Sequence, residues 1–189
     1  MIEKPKRVAF FGGSFNPPHI GHGLLITWAL SIGEVDQVWL VPCNQHAFSK
    51  KLVSFEDRLE MCRLLAAPFD PQQVKTCAIE GELGGESRTI DTVLALKKHH
   101  PNTSFRLLIG ADVLAEREQW KRFDDLMTLS PPIIVGRDDY DPPAGYVVSP
   151  PLIQLSSSKI REQLKSKESV WDSVPHNVVE YIRTHRLYR

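Results

Sequence analysis

The sequence lacks several features that mark common classes of protein. Its 23 basic and 23 acidic residues give a formal net charge of zero. Without a basic surplus, neither nucleic acid nor a membrane surface is expected as a partner. No apolar run approaches the roughly 18 residues that a membrane-spanning helix needs, and the N-terminus carries no apolar signal segment. We therefore expect a cytoplasmic protein.

Cysteine is also scarce. The three cysteines, Cys43, Cys62 and Cys77, are odd in number and have no C-x-x-C spacing, which predicts reduced thiols rather than disulfides or a zinc site. With 189 residues, 42% of them hydrophobic, the chain is long enough to bury one good core and short for two. We expect a single domain over residues 1–189.

Both standard nucleotide-binding fingerprints are missing. There is no G-x-x-x-x-G-K-[ST] sequence, and Gly12-Gly13-Ser14 does not continue as G-x-G-x-x-G. The same region nevertheless predicts a buried strand at Val8–Phe11, a glycine turn, and a helix from about Gly21. Leu24, Leu25, Trp28 and Ala29 recur at helical spacing and are expected to face the sheet.

Two histidines stand at the start of this predicted helix. His19 and His22 are three residues apart and face the same side of a helix. A helix start offers free N–H groups and a positive dipole end to an anion, so we interpret the pair as a phosphate site with imidazole in place of a P-loop lysine. A structural pair or half of a zinc site is the alternative.

Apolar runs and amphipathic segments alternate along the rest of the chain. This alternation predicts an α/β fold with a doubly wound parallel sheet and right-handed crossovers, with ligands beyond the carboxyl ends of the strands. The expected elements after the first helix are strands near 38–41, 74–79, 105–109, 133–135 and 146–148 and helices from about Phe55 and near 89–99 and 123–129. A helical segment closes the chain, with Pro175 in its first turn.

The segment from Gly13 to His22 resembles the G-[ST]-F-x-P and H-x-G-H signature of the nucleotidylyltransferase superfamily. Within it, the chain is similar to nicotinate or nicotinamide mononucleotide adenylyltransferases nearly end to end. Four later segments carry the resemblance: Thr89–Val93, Ile109–Asp112 with Trp120, Leu155–Arg161, and the tail from Val174 to Arg189. It implies a Rossmann-like nucleotidylyltransferase fold and adenylyl transfer from ATP to a pyridine mononucleotide, in NAD biosynthesis.

The resemblance also implies the site residues. His19, His22 and Arg161 are the expected catalytic residues. The expected ATP contacts are Gly12, Gly13, Ser14, Phe15, Gly110, Asp112, Arg137, Ser156, Ser157 and Ser158. The expected mononucleotide contacts are Asn16, Lys50, Lys51, Thr89, Thr92 and Trp120. Mg²⁺ is expected to bridge ATP oxygens with mostly water as its other ligands, without a dedicated protein metal site.

The residues themselves leave simpler alternatives open for several of these roles. The serines and Asp112 also suit helix caps, and Arg137 also suits an exposed salt bridge. Trp120 also suits ordinary packing, and Ser49-Lys50-Lys51 also suits a solvated loop.

Two other functions compete with adenylyl transfer to a pyridine nucleotide. H-I-G-H is also similar to class I aminoacyl-tRNA synthetases, but the chain has no room for a tRNA-recognition domain. A non-catalytic nucleotide-binding module does not need both histidines and Arg161.

The motifs give conflicting indications of the preferred pyridine nucleotide. The double glycine and the tail favour nicotinate mononucleotide, whereas Asn16 and Ser49-Lys50-Lys51 favour nicotinamide mononucleotide. Because a helix start at Thr89 favours an anion, we expect nicotinate mononucleotide as substrate. The sequence leaves the oligomeric state open and is compatible with a homo-oligomer.

Overall fold

A computed structural model of the chain describes residues 5–45, 52–86, 88–111, 114, 116–136, 145–151 and 155–189. Its strands are β1 (Lys6–Gly13), β2 (Gln37–Pro42), β3 (Val74–Thr76), β4 (Thr103–Gly110), β5 (Pro132–Val135) and β6 (Val147–Val148). Its α-helices are α1 (Ile20–Ser31), α2 (Phe55–Ala66), α3 (Ile79–Leu83), α4 (Thr89–His99), α5 (Phe123–Leu129), α6 (Ser157–Lys165) and α7 (His176–Thr184), and a 3₁₀ turn spans Arg117–Gln119.

The strands form one sheet in the order β3-β2-β1-β4-β5-β6. Every pairing between neighbouring strands is parallel, so the predicted doubly wound, Rossmann-like sheet is confirmed. The strand order reverses between β1 and β4, the two central strands. In such sheets a ligand binds beyond the carboxyl ends of the strands at this reversal. The segment that follows β1 is therefore placed to form the site.

The apolar run in β1 reflects burial on both faces of the sheet. Val8 and Phe10 belong to a core cluster that α4 completes. Ala9 and Phe11 point to the opposite face and pack into a cluster with residues of α1. Because successive side chains of a strand point to opposite faces, a strand buried on both sides is apolar throughout. This packing fixes the level at which β1 ends and α1 begins.

A third cluster attaches the C-terminal helices to α2. Met61 of α2 packs with Ile160 of α6 and with Val178, Val179 and Ile182 of α7. All of these side chains are almost fully buried. The cluster places the start of α6 beside the segment that follows β1.

The structure corrects several predicted boundaries. Gly12 and Gly13 belong to β1 rather than to a turn. The strand predicted near 74–79 ends at Thr76, and Ile79 instead begins α3 and packs into the core from there. A short apolar run does not distinguish a strand from a buried helix start.

Smaller differences concern single residues. Leu24, predicted to face the sheet, is 36% exposed. Pro175 is the N-cap of α7 rather than a first-turn residue, and Tyr146 lies just before β6. The predicted helices α4 and α5 have the expected bounds. Within the described ranges, no helix is both long and apolar enough to cross a membrane.

Candidate active site

The β1–α1 loop, residues 14–19, is the centre of the site. Phe15 has a left-handed backbone with φ of 44°, and the Asn16-Pro17 peptide is cis. The ring of Phe15 folds back under the end of β1, where a Cβ on Gly13 would lie 3.2 Å from it. Glycine at position 13 therefore permits this close approach.

His19 and His22 lie together where the loop enters α1. The backbone N–H of His19 donates to Nδ1 of His22 at 3.0 Å, and the two rings stack with their centroids 3.7 Å apart. Because Nδ1 of His22 accepts this bond, the neutral ring carries its proton on Nε2.

Burial determines the charge of this pair. It lowers the pKa of His19 from 6.5 to about 4, and it also lowers the pKa of His22 well below 6.5, with the neighbouring His19 as a second cause. Both rings are therefore neutral at pH 7 in the ligand-free protein. In this state the pair offers neutral N–H donors rather than the positive charge of a P-loop lysine, and an incoming anion would raise both pKa values.

One atom of the pair points to a ligand. Nδ1 of His19 is buried and has no hydrogen-bond partner among the described residues. A buried polar atom is normally satisfied by protein, water or a bound group. At the start of a 12-residue helix, such an atom suits an anionic oxygen.

The start of α6 lies against the same loop. The Ser157 hydroxyl donates to the carbonyl of Pro17 at 2.9 Å. Arg161 donates through Nη1 to the carbonyl of Asn16 at 2.7 Å and through Nη2 to Oγ of Ser158 at 3.1 Å. The structure thus places the start of α6, which the resemblance assigned to ATP, beside the start of α1, which the histidine spacing predicted as a phosphate site.

The N-terminal position of Ser156 agrees with the predicted cap, but the capping bond does not form. Ser156 is the N-cap residue of α6, and its side chain makes no capping hydrogen bond in the part of the chain that the structure describes. The serine that acts here is Ser157, through its bond to the β1–α1 loop. The serine cluster therefore anchors α6 to this loop.

Sequence reasoning missed Arg58, which lies beneath the site. Its side chain is 1% exposed. Its guanidinium donates to the carbonyls of Val53 (3.1 Å), Ser14 (3.1 Å), Cys43 (2.6 Å) and Asn44 (3.0 Å). One buried cation thus joins the β1–α1 loop to the two ends of the β2–α2 connection.

A signal for Arg58 was present in the sequence. The buried residues of α2 include Arg58, Met61, Cys62 and Leu65, which fall at i, i+3, i+4 and i+7. An arginine on the apolar face of an amphipathic helix is buried with that face unless its long side chain extends the guanidinium to solvent. Buried arginines need several acceptors.

Asn44 extends this network to the start of α4. Its backbone N–H donates to Oε2 of Glu80 at 3.1 Å, and Oε1 of Glu80 accepts from the Thr92 hydroxyl at 2.9 Å. Thr92 and Glu80 are buried, and the N–H of Thr92 donates to the Arg88 carbonyl. A ligand at this helix start would therefore meet the amides of Thr89 and Ile90 first.

The remaining predicted contacts are more dispersed. Gly110 ends β4, at the carboxyl edge of the sheet and opposite Val135 of β5. Trp120 packs against the core cluster next to α4, with its ring centroid 6.5 Å from that of Phe123. The predicted contacts outside the described residues are Lys50, Lys51, Asp112 and Arg137.

The described residues offer neither a reactive thiol nor a cluster of metal ligands at the site. Cys43, Cys62 and Cys77 are free thiols, as predicted, and burial raises the pKa of each. A raised pKa makes a thiol less reactive. Within the described part of the chain, no group of three or more His, Cys, Asp or Glu side chains is arranged to hold a metal.

Comparison with known proteins agrees with this class of site. A parallel sheet with two helix starts at its central reversal defines a Rossmann-like nucleotide-binding protein. The family model described as cytidylyltransferase-like matches residues 10–163, and the chain belongs to this family.

Two curated relatives match over nearly their whole length. Both are named "Probable nicotinate-nucleotide adenylyltransferase". The protein from Anaeromyxobacter dehalogenans (strain 2CP-C) is 42% identical over 187 residues, which cover 97% of each chain. The protein from Myxococcus xanthus is 40% identical over 182 residues, which cover 96% of this chain and 94% of its own.

Among solved structures, the nicotinic acid mononucleotide adenylyltransferase of Plasmodium falciparum complexed with NaAD has a TM-score of 0.81, with 21% identity and 97% coverage of each chain. At that identity the likeness supports the fold.

Proposed function

We propose that the protein is a nicotinate-nucleotide adenylyltransferase. An oxygen of the 5′-phosphate of nicotinate mononucleotide attacks the α-phosphorus of ATP. The bond between that phosphorus and the α,β-bridging oxygen breaks, and pyrophosphate leaves with the electron pair. The product is deamido-NAD, a step of NAD biosynthesis.

The observation that carries this proposal is the convergence of two helix starts on one loop. The histidine pair begins α1, and Arg161 and Ser157 hold the first turn of α6 against Asn16 and Pro17. Each helix start favours an anion, so two helix starts side by side suit a ligand with several phosphates. The names of the full-length relatives support the choice of acceptor.

No general base is required, because the attacking phosphate is already an anion at pH 7. Catalysis then depends on in-line positioning and on stabilising the charge of the α-phosphoryl oxygens and of the leaving pyrophosphate. We assign the α-phosphate to the N–H donors of His19 and His22. We assign the leaving pyrophosphate to Arg161 and to the amides at the start of α6, because a guanidinium fork matches phosphate oxygens.

Mg²⁺ enters as part of the MgATP substrate. It neutralises phosphate charge and keeps most of its water ligands. The described site residues are imidazoles, hydroxyls and a guanidinium. These groups suit phosphate oxygens, whereas a resident Mg²⁺ requires carboxylates.

The pyridine ring is assigned to the side of the site near Thr89 and Trp120. The free amides and positive dipole end of α4 favour the nicotinate carboxylate. Nicotinamide mononucleotide is the second candidate, because the buried Glu80 carboxylate behind Thr92 is an acceptor of the kind that a carboxamide NH₂ requires.

The test is a coupled pyrophosphate-release assay with ATP and a panel of acceptors. Nicotinate mononucleotide is expected to give the highest kcat/KM, with deamido-NAD identified by mass. Higher kcat/KM for nicotinamide mononucleotide would reverse the assignment of the acceptor. Release that requires an amino acid instead would refute adenylyl transfer to pyridine nucleotides.

A further inference from the structure

The last residues of the chain adopt an unusual conformation after α7. Arg186 and Tyr188 have φ values of 56° and 62°, in the left-handed region that costs free energy for any residue with a side chain. Backbone strain of this kind persists only where surrounding contacts hold it. Two such residues within three positions therefore indicate that contacts hold the segment after α7 in place.

Packing supplies part of this restraint. Leu187 and Tyr188 pack against the cluster formed by α2, α6 and α7. The N–H of Leu187 also donates to the carbonyl of Ile182 at 3.0 Å. Burial of Tyr188 raises the pKa of its phenol, so the hydroxyl is protonated and is a donor at pH 7.

The Tyr188 hydroxyl reaches the β1–α1 loop. It donates to Oδ1 of Asn16 at 2.8 Å, and the same oxygen accepts the N–H of Val53 at 3.3 Å. Asn16 is 1% exposed. Its backbone carbonyl is also the acceptor for Nη1 of Arg161 at 2.7 Å. Asn16 therefore connects the chain end directly to the arginine of the second phosphate site.

We propose that Tyr188 is a positioning residue for adenylyl transfer: its hydroxyl fixes Asn16, and Asn16 fixes Arg161 for the ATP phosphates. This inference rests on the proposed function. The matched family region ends at residue 163, so Tyr188 contributes from outside the part that the family model covers. No sequence motif of the phosphate sites includes it.

The chain offers a matched control in Tyr181. Its hydroxyl donates to Oδ1 of Asp57 at 3.0 Å, which joins α7 to α2 rather than to the β1–α1 loop. Tyr188→Phe and Tyr181→Phe each remove one hydroxyl and one hydrogen bond from the C-terminal segment. The thermal midpoint reports the loss of stability in each variant, so a loss of activity beyond that expected from the midpoint isolates the contact with Asn16.

The first measurement compares kcat/KM for ATP with the thermal midpoint. Tyr188→Phe is expected to lower kcat/KM for ATP about three- to tenfold, the scale of one hydrogen bond expressed in the transition state. Tyr181→Phe is expected to stay within about twofold of the parent. Parental kinetics in Tyr188→Phe, or an equal loss in both variants that follows their thermal midpoints, would overturn the proposal.

A double-mutant cycle measures the coupling between two substitutions, which a general loss of stability does not produce. Combined with Arg161→Lys, the loss from Tyr188→Phe is expected to shrink, because both changes disturb the same contact through Asn16. The loss from Arg161→Lys is expected to be unaltered by Tyr181→Phe. Additive losses for Tyr188→Phe and Arg161→Lys would overturn the inferred connection.

Binding separates this inference from the proposed function. Absence of turnover in the parent with either pyridine mononucleotide would refute the proposed function alone. Calorimetry of MgATP binding then still tests Tyr188. Binding weakened at least threefold in Tyr188→Phe, but not in Tyr181→Phe, supports the positioning role, and equal affinity in the two variants overturns it.

Discussion

Replacement of Arg58 by methionine is expected to destabilise the fold and to loosen the loops around the site together. Methionine fills much of the volume of the arginine stem but donates no hydrogen bond. The change would remove four bonds to buried or partly buried carbonyls, those of Ser14, Cys43, Asn44 and Val53.

The size of the effect follows from two opposing contributions. Each hydrogen bond from a charged donor contributes about 1.5–3 kcal/mol. Against this, removing the charged guanidinium from water costs several kcal/mol, and that cost disappears in the variant. We expect a net loss of about 3 kcal/mol in the free energy of unfolding. A domain with about 5–15 kcal/mol of stability remains folded after such a loss.

Urea unfolding and thermal melting measure this change. For a chain of this size, about 3 kcal/mol corresponds to a fall in Tm of about 6–12 °C. Arg63→Met is the matched control, because Arg63 lies on the same helix, is 58% exposed and pairs only with Glu60 in the described residues. An exposed pair of this kind contributes about 0–1 kcal/mol. Equal urea midpoints for the two variants would show that the four hydrogen bonds of Arg58 do not stabilise the fold.

Three further predictions concern the catalytic groups. His22→Ala is expected to lower kcat by about 10²–10³, the scale of one preorganised donor, and near-parental kcat in steady-state assays would remove His22 from the mechanism. Arg161→Lys is expected to raise KM for ATP and lower kcat, since a point charge does not replace a bidentate fork; parental values would contradict its role at the leaving group. The free energy of unfolding of the ligand-free protein is expected to decrease as the pH falls from about 6.5 towards 4. The pKa of His19 is about 4 and that of His22 lies well below 6.5, so in this range the unfolded state binds protons that the folded state does not. The double variant His19→Gln, His22→Gln should have a flatter profile by urea titration, and an unchanged slope would contradict the burial argument.

The fold was predictable from the sequence because its signals are local. A continuous apolar run predicts a strand buried on both faces, as in β1, and the alternation of strands and helices predicts a parallel sheet. The predicted boundary of β3 was wrong because the apolar run around Ile79 suits either a strand or the start of a buried helix. The approach of the two helix starts was predictable only from the resemblance, because Ser157 and Pro17 are 140 residues apart in sequence.

The contacts that hold the β1–α1 loop were not predictable in the same way. The stripe of α2 predicts that Arg58 is buried, but not which carbonyls it meets. The tail sequence contains no hint that the Tyr188 hydroxyl reaches Asn16. The neutral state of His19 and His22 depends on burial, which the H-x-G-H spacing does not reveal. Such long-range contacts depend on the assembled fold.

The fate of the ATP phosphates distinguishes adenylyl transfer from every other use of ATP. The protein is incubated with nicotinate mononucleotide and ATP that carries radioactive phosphorus at either the α or the γ position. For adenylyl transfer we expect α-label to enter the dinucleotide and γ-label to leave entirely as pyrophosphate. Transfer of γ-label to the mononucleotide, or α-label that stays in AMP or ADP, would contradict adenylyl transfer.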